Sequence, residues 1–298
     1  MNWGKYKYYY IALLVTILLV VIAIVYFIVK KTRKEKTRKS GGGMVNNWGN
    51  DENFFTNSDG KNLYELGKKV GITMSRNKGL GGAFSKDIYE SNKENPKVSW
   101  AVYDISNEKL LASSKNASTN VYGASVPKIC VASATFDKNG GKLPTDSDYE
   151  KVIKLLVKSD NEVWTYLQDL AGGKDAVNNW SKKMGYTMQP ARGGGNNSNA
   201  IDMCKFFNDV CRNNFKGAEN IFKISSSCQT SAGRSKKCMP KDVFMGGKTG
   251  TYQDSNNDCC WLQKGDKFYS ICVLTQLGGN GSNVIAQIFR GLYNDYIE

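Results

Sequence analysis

Three patterns of apolar and polar residues follow one another along the chain. After a short tail of residues 1–10, residues 11–29 are apolar with one polar exception, which is close to the ~20 residues that a helix needs to cross a bilayer. Residues 30–60 are basic at first and then rich in Gly, Asn and Asp, which is typical of a flexible linker. From Leu63 onward apolar residues recur at helical and strand spacings, so we expect one folded domain over residues 61–298.

The order of elements in this domain predicts an α/β (α+β) fold of two layers. After a helical stretch at 63–70, two strands are followed by a block of helices, three strands and a last helix. Strands at both ends of the domain indicate one antiparallel sheet flanked by helices, with an inserted all-helical subdomain. The cleft between sheet and insertion is the natural place for a site. The predicted strands are 98–104, 110–113, 243–251, 258–263 and 268–277, and the predicted helices are 63–70, 125–136, 149–157, 161–170, 174–184, 201–210 and 285–296.

The apolar run 11–29 has the features of an uncleaved membrane anchor. It is longer than the ~7–15 apolar residues of a signal peptide, and Lys30 and Lys31 follow it directly. We therefore expect contact with a lipid bilayer through this segment. Much of the net charge of +14 surrounds it, because residues 1–39 carry nine Lys and Arg and one Glu. Such a cluster is a topology signal or a contact with anionic lipid, so the charge does not favour nucleic-acid binding.

Histidine is absent from the chain, which excludes every Ser-His-Asp or Cys-His mechanism and every histidine-ligated metal site. The eight cysteines form no CxxC and no zinc spacing, and we expect neither a metal nor an organic cofactor. Cys228 and Cys238 bracket a polar loop and could form a disulfide in an oxidising compartment. A hydrolase with this sequence must activate its nucleophile in another way, and a serine with a lysine one helical turn later is the obvious means.

Three short motifs occur in a fixed order: Ser-Val-Pro-Lys at 125–128, Ser-Asp-Asn at 159–161 and Lys-Thr-Gly at 248–250. Each alone has a plain structural explanation, as a helix cap, a capping cluster and a strand-end lysine. Together they fall on a helix start, a loop between helices and a strand edge. Residues i and i+3 share a helix face, so the ammonium group of Lys128 can reach the hydroxyl of Ser125. A lysine in a buried cleft beside a second cation has a lowered pKa and can act as a base.

This set resembles the signature of class A β-lactamases and penicillin-binding proteins, and the resemblance covers the chain from about Leu63 to the end. Residues 100–104, 172–173 and 257–258 look like further landmarks of the family. The resemblance implies a serine acyl hydrolase that attacks a β-lactam or a related amide, such as a peptidoglycan-like peptide.

The resemblance also implies the chemistry of the first two motifs. Ser125 would be the acylated nucleophile and Lys128 its proton acceptor. Ser159 would relay a proton to the leaving nitrogen, and Asn161 would hold the substrate amide.

Substrate binding is implied for the third motif. Lys248 and Thr249, followed by Gly250, would bind the substrate carboxylate and keep the site positive. The backbone N–H groups of the nucleophile and of Thr251 would form an oxyanion hole, and Arg234 would add a second carboxylate contact.

One departure from the family bears on turnover. Class A β-lactamases hydrolyse the acyl-enzyme with a loop glutamate, whereas this chain has no Asp or Glu between Asp175 and Asp202. Residues 188–200 are rich in Gly and Asn, and Arg192 stands near the start of this loop. Deacylation is therefore expected to be slow. Two alternatives to a β-lactamase stay open: a D-Ala-D-Ala peptidase or transpeptidase, and a membrane-tethered binding or sensor domain without turnover.

The orientation in the membrane has two conflicting signals. Two Lys precede residues 11–29 and seven Lys and Arg follow them closely, which favours a cytoplasmic C-terminal part. The resemblance implies the extracytoplasmic side, where this class of enzyme works. We expect the extracytoplasmic side on these functional grounds.

Overall fold

The computed structural model describes residues 51–298. The predicted tail and membrane anchor, residues 1–29, and the larger part of the predicted linker lie outside the described residues. Within residues 51–298, no helix combines the length and the apolar character that a membrane crossing requires.

An antiparallel sheet of five strands forms the centre of the domain. Its members are β1 (Val98–Asp104), β2 (Lys109–Ser113), β5 (Phe244–Tyr252), β6 (Ser255–Lys264) and β7 (Lys267–Gln276), while β3 (Val121–Tyr122) and β4 (Asn197–Ser198) pair separately. The order across the large sheet is β2-β1-β7-β6-β5. The first two strands of the domain therefore join the last three in one sheet, which confirms the predicted antiparallel arrangement. β5 forms one edge, and this edge carries the third motif.

Both faces of the central strands of the sheet are buried. Successive strand residues point to opposite faces, so Trp100 and Val102 lie on one side of β1 and Ala101 on the other. The side of Trp100 packs against the C-terminal helix through residues such as Ile285 and Phe289. The other side packs against the inserted helices. The strands are apolar on both faces for this reason.

The inserted helices surround one helix that is buried along nearly its whole length. This helix begins at Lys128 and not at residue 125 as predicted, because Ser125 lies in the turn before it. Residues 128–136 are all buried, as the apolar sequence predicted. Its burial fixes the position of the first motif between sheet and helices. The helices are α1 (Asp51–Phe54), α2 (Leu63–Lys69), α3 (Lys86–Lys93), α4 (Lys128–Lys138), α5 (Asp146–Ile153), α6 (Glu162–Leu170), α7 (Lys174–Lys183), α8 (Ala200–Cys211), α9 (Ala218–Ser225), α10 (Ser235–Cys238) and α11 (Gly281–Tyr296).

The predicted boundary between linker and domain at residue 60 is wrong. Phe55 is completely buried and Phe54 nearly so, and both belong to the core of the inserted helices. Asn57 donates a hydrogen bond to Asn220 Oδ1 at 2.8 Å. Residues 51–60 are therefore part of the folded domain, because two adjacent phenylalanines bury more apolar surface than their polar neighbours suggest.

Two further predictions about the insertion need correction. It is not all-helical, since Val121 pairs with Ser198 and Tyr122 with Asn197 in a short ladder. The predicted helix 149–157 divides in two: α5 ends at Ile153, and a wider π-helical turn, Lys154–Lys158, leads into the second motif.

Cys228 and Cys238 are both free thiols in the structure, so the disulfide considered from the sequence is not formed. Their hydrogen-bond partners lie apart: Cys228 Sγ contacts Thr230 Oγ1 at 3.3 Å, whereas Cys238 Sγ donates to the Ala83 carbonyl at 3.1 Å.

Candidate active site

Ser125 lies at a sharp turn between β3 and α4. Ala124 before it has a φ of 52°, in the left-handed region that residues other than glycine rarely adopt. Pro127 then precedes the first residue of α4, where its fixed φ suits a helix start. The turn leaves Ser125 partly exposed at the N-terminal end of a buried helix, where negative charge is stabilised.

Lys128 directs its ammonium group at the Ser-Asp-Asn loop. The side chain is completely buried, and Nζ donates to the Ser159 carbonyl at 2.6 Å and to Asn161 Oδ1 at 2.5 Å. Nζ also lies 3.4 Å from Ser159 Oγ. Among residues 51–298 these are its hydrogen-bond partners, so the Ser125 hydroxyl is not bonded to Lys128 in this state.

Lys248 reaches the same loop from the sheet. Its side chain is completely buried on β5, and Nζ donates to Ser159 Oγ at 2.9 Å and to the Thr249 carbonyl at 2.8 Å. Ser159 has a φ of 62°, at the end of the π-helical turn. The amino groups of two lysines on separate elements thus meet at one serine hydroxyl.

Burial determines the protonation of both lysines. It lowers the pKa of Lys128 to about 7, and the positive charges of Lys248 and Arg192 act in the same direction. Burial also lowers the pKa of Lys248 to about 8, helped by the charge of Arg234. A large fraction of Lys128 is therefore neutral at neutral pH, which is the form that can accept a proton.

The edge of β5 lies directly beside the nucleophile. A Cβ added to Gly250 would lie 2.8 Å from the backbone nitrogen of Ser125 and 2.5 Å from the Gly123 carbonyl oxygen, so glycine is needed for this approach. The amide of Met245 donates outward to the Asn77 carbonyl at 3.0 Å. Amide directions alternate along an antiparallel edge strand, so the amide of Thr251, six residues later, points to the same open edge. The N–H groups of Ser125 and Thr251 are thereby available as a pair of oxyanion donors.

Arg234 is held beneath the end of β5 with its donors occupied by the protein. The guanidinium is buried and donates to the Gly250 and Asn257 carbonyls at 3.3 and 3.0 Å and to the Thr251 hydroxyl. It also donates to Asn256 Oδ1 and to Ser282 Oγ, each at 3.2 Å. A guanidinium has five N–H groups. These five contacts leave none for a substrate carboxylate in this state, and four of them tie Arg234 to β5 and β6.

Two residues at the site, Thr230 and Trp164, were not predicted from the sequence. Thr230 Oγ1 lies 2.5 Å from Thr249 Oγ1, which adds a hydroxyl to the end of the site where the third motif lies. Trp164 on α6 is buried beside the first motif, with Lys128 Nζ 5.0 Å and Arg192 Cζ 5.4 Å from its ring centroid. Thr230 has no spacing signal in the sequence, whereas Trp164 follows Asn161 by three residues on a helix and could have been found from that spacing.

Hydrogen bonds hold the loop of residues 188–198 against the helices α6 and α7. The amide of Arg192 donates to Gln168 Oε1 at 2.7 Å on α6, and Asn178 Nδ2 on α7 donates to the Gly194 carbonyl at 2.7 Å. Arg192 NH1 donates to Thr165 Oγ1 at 3.1 Å. The loop thus places the positive charge of Arg192 near the site.

The structure brings Lys128, Ser159, Asn161 and Lys248 into one hydrogen-bonded group. Ser125 joins them through the backbone contact with Gly250, although its hydroxyl is not bonded to either lysine. The remaining predicted residues, Thr249, Thr251 and Arg234, lie along or beneath β5.

Comparison with known proteins agrees with this geometry. A protein-family model described as the Beta-lactamase enzyme family matches residues 142–296, about half of the chain, including the second and third motifs. The chain therefore belongs to the beta-lactamase enzyme family, which confirms the family predicted from the motifs. No curated protein sequence matches the chain.

Solved structures of β-lactamases share the fold. A β-lactamase from Chitinophaga pinensis is 17% identical with a TM-score of 0.60, over 70% of this chain and 96% of that chain. A class A β-lactamase from Bacteroides cellulosilyticus is 19% identical with a TM-score of 0.58, over 72% of this chain and 98% of that chain. A β-lactamase from Sphaerobacter thermophilus is 17% identical with a TM-score of 0.58, over 70% and 94% respectively. At such identities the likeness establishes the fold.

Proposed function

We propose that this protein is a membrane-anchored serine acyl enzyme that opens a β-lactam or a D-Ala-D-Ala-like amide through an ester on Ser125. The observation that carries the proposal is the meeting of Lys128 and Lys248 at Ser159 Oγ, while Gly250, on the same strand as Lys248, lies against the backbone of Ser125. Family membership supports serine hydrolase chemistry.

The proposed acylation gives each of these groups one role. Neutral Lys128 takes the proton of Ser125 as its oxygen attacks the substrate carbonyl, and the carbonyl oxygen accepts hydrogen bonds from the amides of Ser125 and Thr251. Ser159, polarised by Lys248, gives its proton to the leaving nitrogen and regains one from Lys128. The C–N bond breaks, the ester bond forms, and the serine proton ends on the leaving amine.

The substrate carboxylate binds at the opposite end of the group. Lys248 supplies charge there, and the hydroxyls of Thr249 and Thr230 supply donors. Arg234 holds this end of β5 in place from beneath.

Hydrolysis of the ester is proposed to be slow. Within residues 51–298 no carboxylate forms an ion pair or hydrogen bond with Lys128, and the loop that approaches it presents Arg192. A cation cannot remove a proton from water. This feature favours a second candidate function, a peptidase or transpeptidase in which an amine accepts the acyl group.

Residues 11–29 are proposed to anchor the protein with the domain on the extracytoplasmic side. That location would give the site access to peptidoglycan-like peptides. Protease treatment of intact cells tests it: digestion of the domain is expected, and protection of the domain until the cells are lysed would contradict this orientation.

Intact-mass spectrometry of the full-length protein with benzylpenicillin tests the chemistry. Wild type is expected to gain one drug mass that persists for hours, whereas Ser125→Ala gains none. Equal labelling of both proteins would show that the nucleophile is wrong. Absence of any adduct, with no penicillin consumed, would contradict β-lactam recognition, and rapid loss of the adduct with release of hydrolysed penicillin would contradict slow deacylation.

The second candidate is tested in the same experiment by adding D-amino acids as acceptors. Faster loss of the adduct together with an acyl–amino acid product would establish transfer. An adduct lifetime that does not change over a wide range of acceptor concentration would contradict it.

A further inference from the structure

Two exposed tyrosines lie next to each other at the rim of the site. Tyr122 is 42% exposed and Tyr252 is 54% exposed, and their ring centroids are 5.4 Å apart with planes tilted by 49°. Single exposed aromatic residues are ordinary on a protein surface. Among the large apolar side chains that are exposed in residues 51–298, these two are the pair in ring contact with each other.

The backbones of both tyrosines are fixed by strands. Tyr122 pairs with Asn197 in the small sheet, and its carbonyl accepts a hydrogen bond from Asn257 Nδ2 on β6 at 3.1 Å. Tyr252 ends β5 and pairs with Ser255. The rings are therefore presented by rigid elements, so little ordering is needed when a ligand covers them.

The position of Tyr252 on β5 places the tyrosine pair on the side of Ser125 that is opposite to Lys248 and Thr249. Lys248, Gly250 and Tyr252 point to the same face of the strand, because side chains alternate. Gly250 lies against Ser125, and Lys248 with Thr249 marks the side of the leaving group. Tyr252 lies on the other side of Gly250, with its Cα about 10 Å from that of Thr249 at ~3.3 Å per residue.

In the proposed acylation the acyl half of a substrate runs in that direction. Its carbonyl oxygen is held at the amides of Ser125 and Thr251, and the leaving nitrogen faces Ser159. The group on the acyl side then continues along β5 towards Tyr252 and the adjacent ring of Tyr122.

We propose that Tyr122 and Tyr252 form an acyl-side subsite that selects acyl groups carrying an aromatic or other flat apolar ring. This rests on the proposed function of Ser125. An exposed tyrosine pair offers ring faces and edges without a charge, which suits offset or edge-to-face contact with such a ring. An anionic or very small acyl group gains little from these contacts.

Two penicillins that differ only in one ring test the proposal. Benzylpenicillin and 6-acetamidopenicillanic acid share the leaving group and the side-chain amide, but the second lacks the phenyl ring. The second-order rate constant of Ser125 acylation is measured for each by intact mass and divided by the rate of hydroxide-catalysed opening of the same compound. Wild type is expected to prefer the phenyl compound by about tenfold, within the range of aromatic pair energies.

Substitutions of Tyr122 and Tyr252 test whether these two side chains cause the preference for the phenyl compound. Tyr122→Ser and Tyr252→Ser are each expected to lower the ratio about two- to fivefold, whereas Tyr122→Phe and Tyr252→Phe keep it. Tyr166→Ser is the matched control, since Tyr166 is 46% exposed and contacts Asp148 and Lys151 away from β5. This control is expected to keep the wild-type ratio.

The outcomes separate this inference from the proposed function. A wild-type ratio near one, or Ser variants that keep a high ratio, would overturn the subsite while acylation of Ser125 stands. If neither penicillin labels Ser125, the proposed function itself fails. The wild-type ratio needs no variant, so a Ser variant that does not fold leaves the test intact.

Discussion

Lys128 and Lys248 approach the hydroxyl of Ser159 from two different parts of the fold, at 3.4 and 2.9 Å. One lysine begins the buried helix α4 and the other lies on the edge strand β5, and both are completely buried. Keeping both buried amines protonated costs free energy, because burial and mutual repulsion both disfavour the ammonium forms. The arrangement therefore produces a neutral base without any histidine.

The first prediction concerns the pH dependence of acylation. The pKa of Lys128 is lowered to about 7, so the neutral base accumulates as the pH rises through 7 and the rate should rise with it. The pKa of Lys248 is lowered to about 8, so its charge is lost above 8 and the rate should fall. A bell-shaped profile with its maximum between about 7 and 8 is expected when adduct formation with benzylpenicillin is timed by quenched mass spectrometry. A rate that rises only near pH 10 would contradict this assignment of the base.

Removing the positive charge of Arg192 should shift the acidic limb of that pH profile. The positive charge of Arg192 lowers the pKa of Lys128, so Arg192→Gln should raise this pKa and move the acidic limb to higher pH. Lys182→Gln removes an equal charge from an exposed position at the end of α7 and serves as the control. A similar displacement in both variants would mean that overall charge, not proximity, is responsible.

The second prediction concerns the hydroxyl that the two lysines share. Ser159 has a left-handed backbone, which glycine adopts without steric strain, so Ser159→Gly removes the hydroxyl and keeps the turn. Loss of a positioned proton relay should slow acylation of Ser125 by roughly 10²–10⁴-fold. The melting temperature should stay close to that of wild type. Acylation at a normal rate in this variant would exclude Ser159 from proton transfer.

The order of elements followed from the spacing of apolar residues because each long element buries a continuous face. The strands predicted at 98–104 and 268–277 and the helix predicted at 125–136 are present for this reason, although the helix begins three residues later, at Lys128. The ladder between Val121 and Ser198 was not, since two-residue strands have no period to detect. The linker prediction for residues 51–60 rests on the Gly, Asn and Asp content of the whole stretch 40–60, and such an average hides the buried Phe54 and Phe55.

The motifs identified the residues around Ser159, but their environment could only come from the fold. Nothing near Thr230 in the sequence connects it with Thr249, because the two lie on separate elements. Arg234 was expected to contact substrate, yet a sequence cannot say that its donors already have partners. Trp164 was predictable as a buried helix residue, and its approach to Lys128 depends on how α4 and α6 pack.

The third prediction separates a structural role of Arg234 from direct binding. Arg234→Gln leaves buried acceptors at Gly250 and Asn257 without a donor, which should lower the free energy of unfolding by about 1–3 kcal/mol. Acylation should slow by the same factor for benzylpenicillin and for its methyl ester, because the damage is to β5 rather than to a carboxylate contact. Thermal unfolding and timed adduct formation measure the two effects. A loss confined to the free carboxylate would instead assign Arg234 to substrate binding.

The last prediction concerns the close approach of β5 to the nucleophile. Gly250→Ala places a methyl group 2.5 Å from the Gly123 carbonyl and 2.8 Å from the nitrogen of Ser125, both of them backbone atoms that cannot turn away. The strand must then move, which separates the two oxyanion donors, and loss of one such donor typically slows acylation ~10²–10³-fold. Gly233→Ala is the matched control, since a Cβ there meets nothing within 4 Å. Rapid mixing with a chromogenic cephalosporin measures the acylation burst in each variant. A full burst in Gly250→Ala at the wild-type rate would show that the amides of Ser125 and Thr251 do not act as a pair, because their spacing could not have survived the added methyl group.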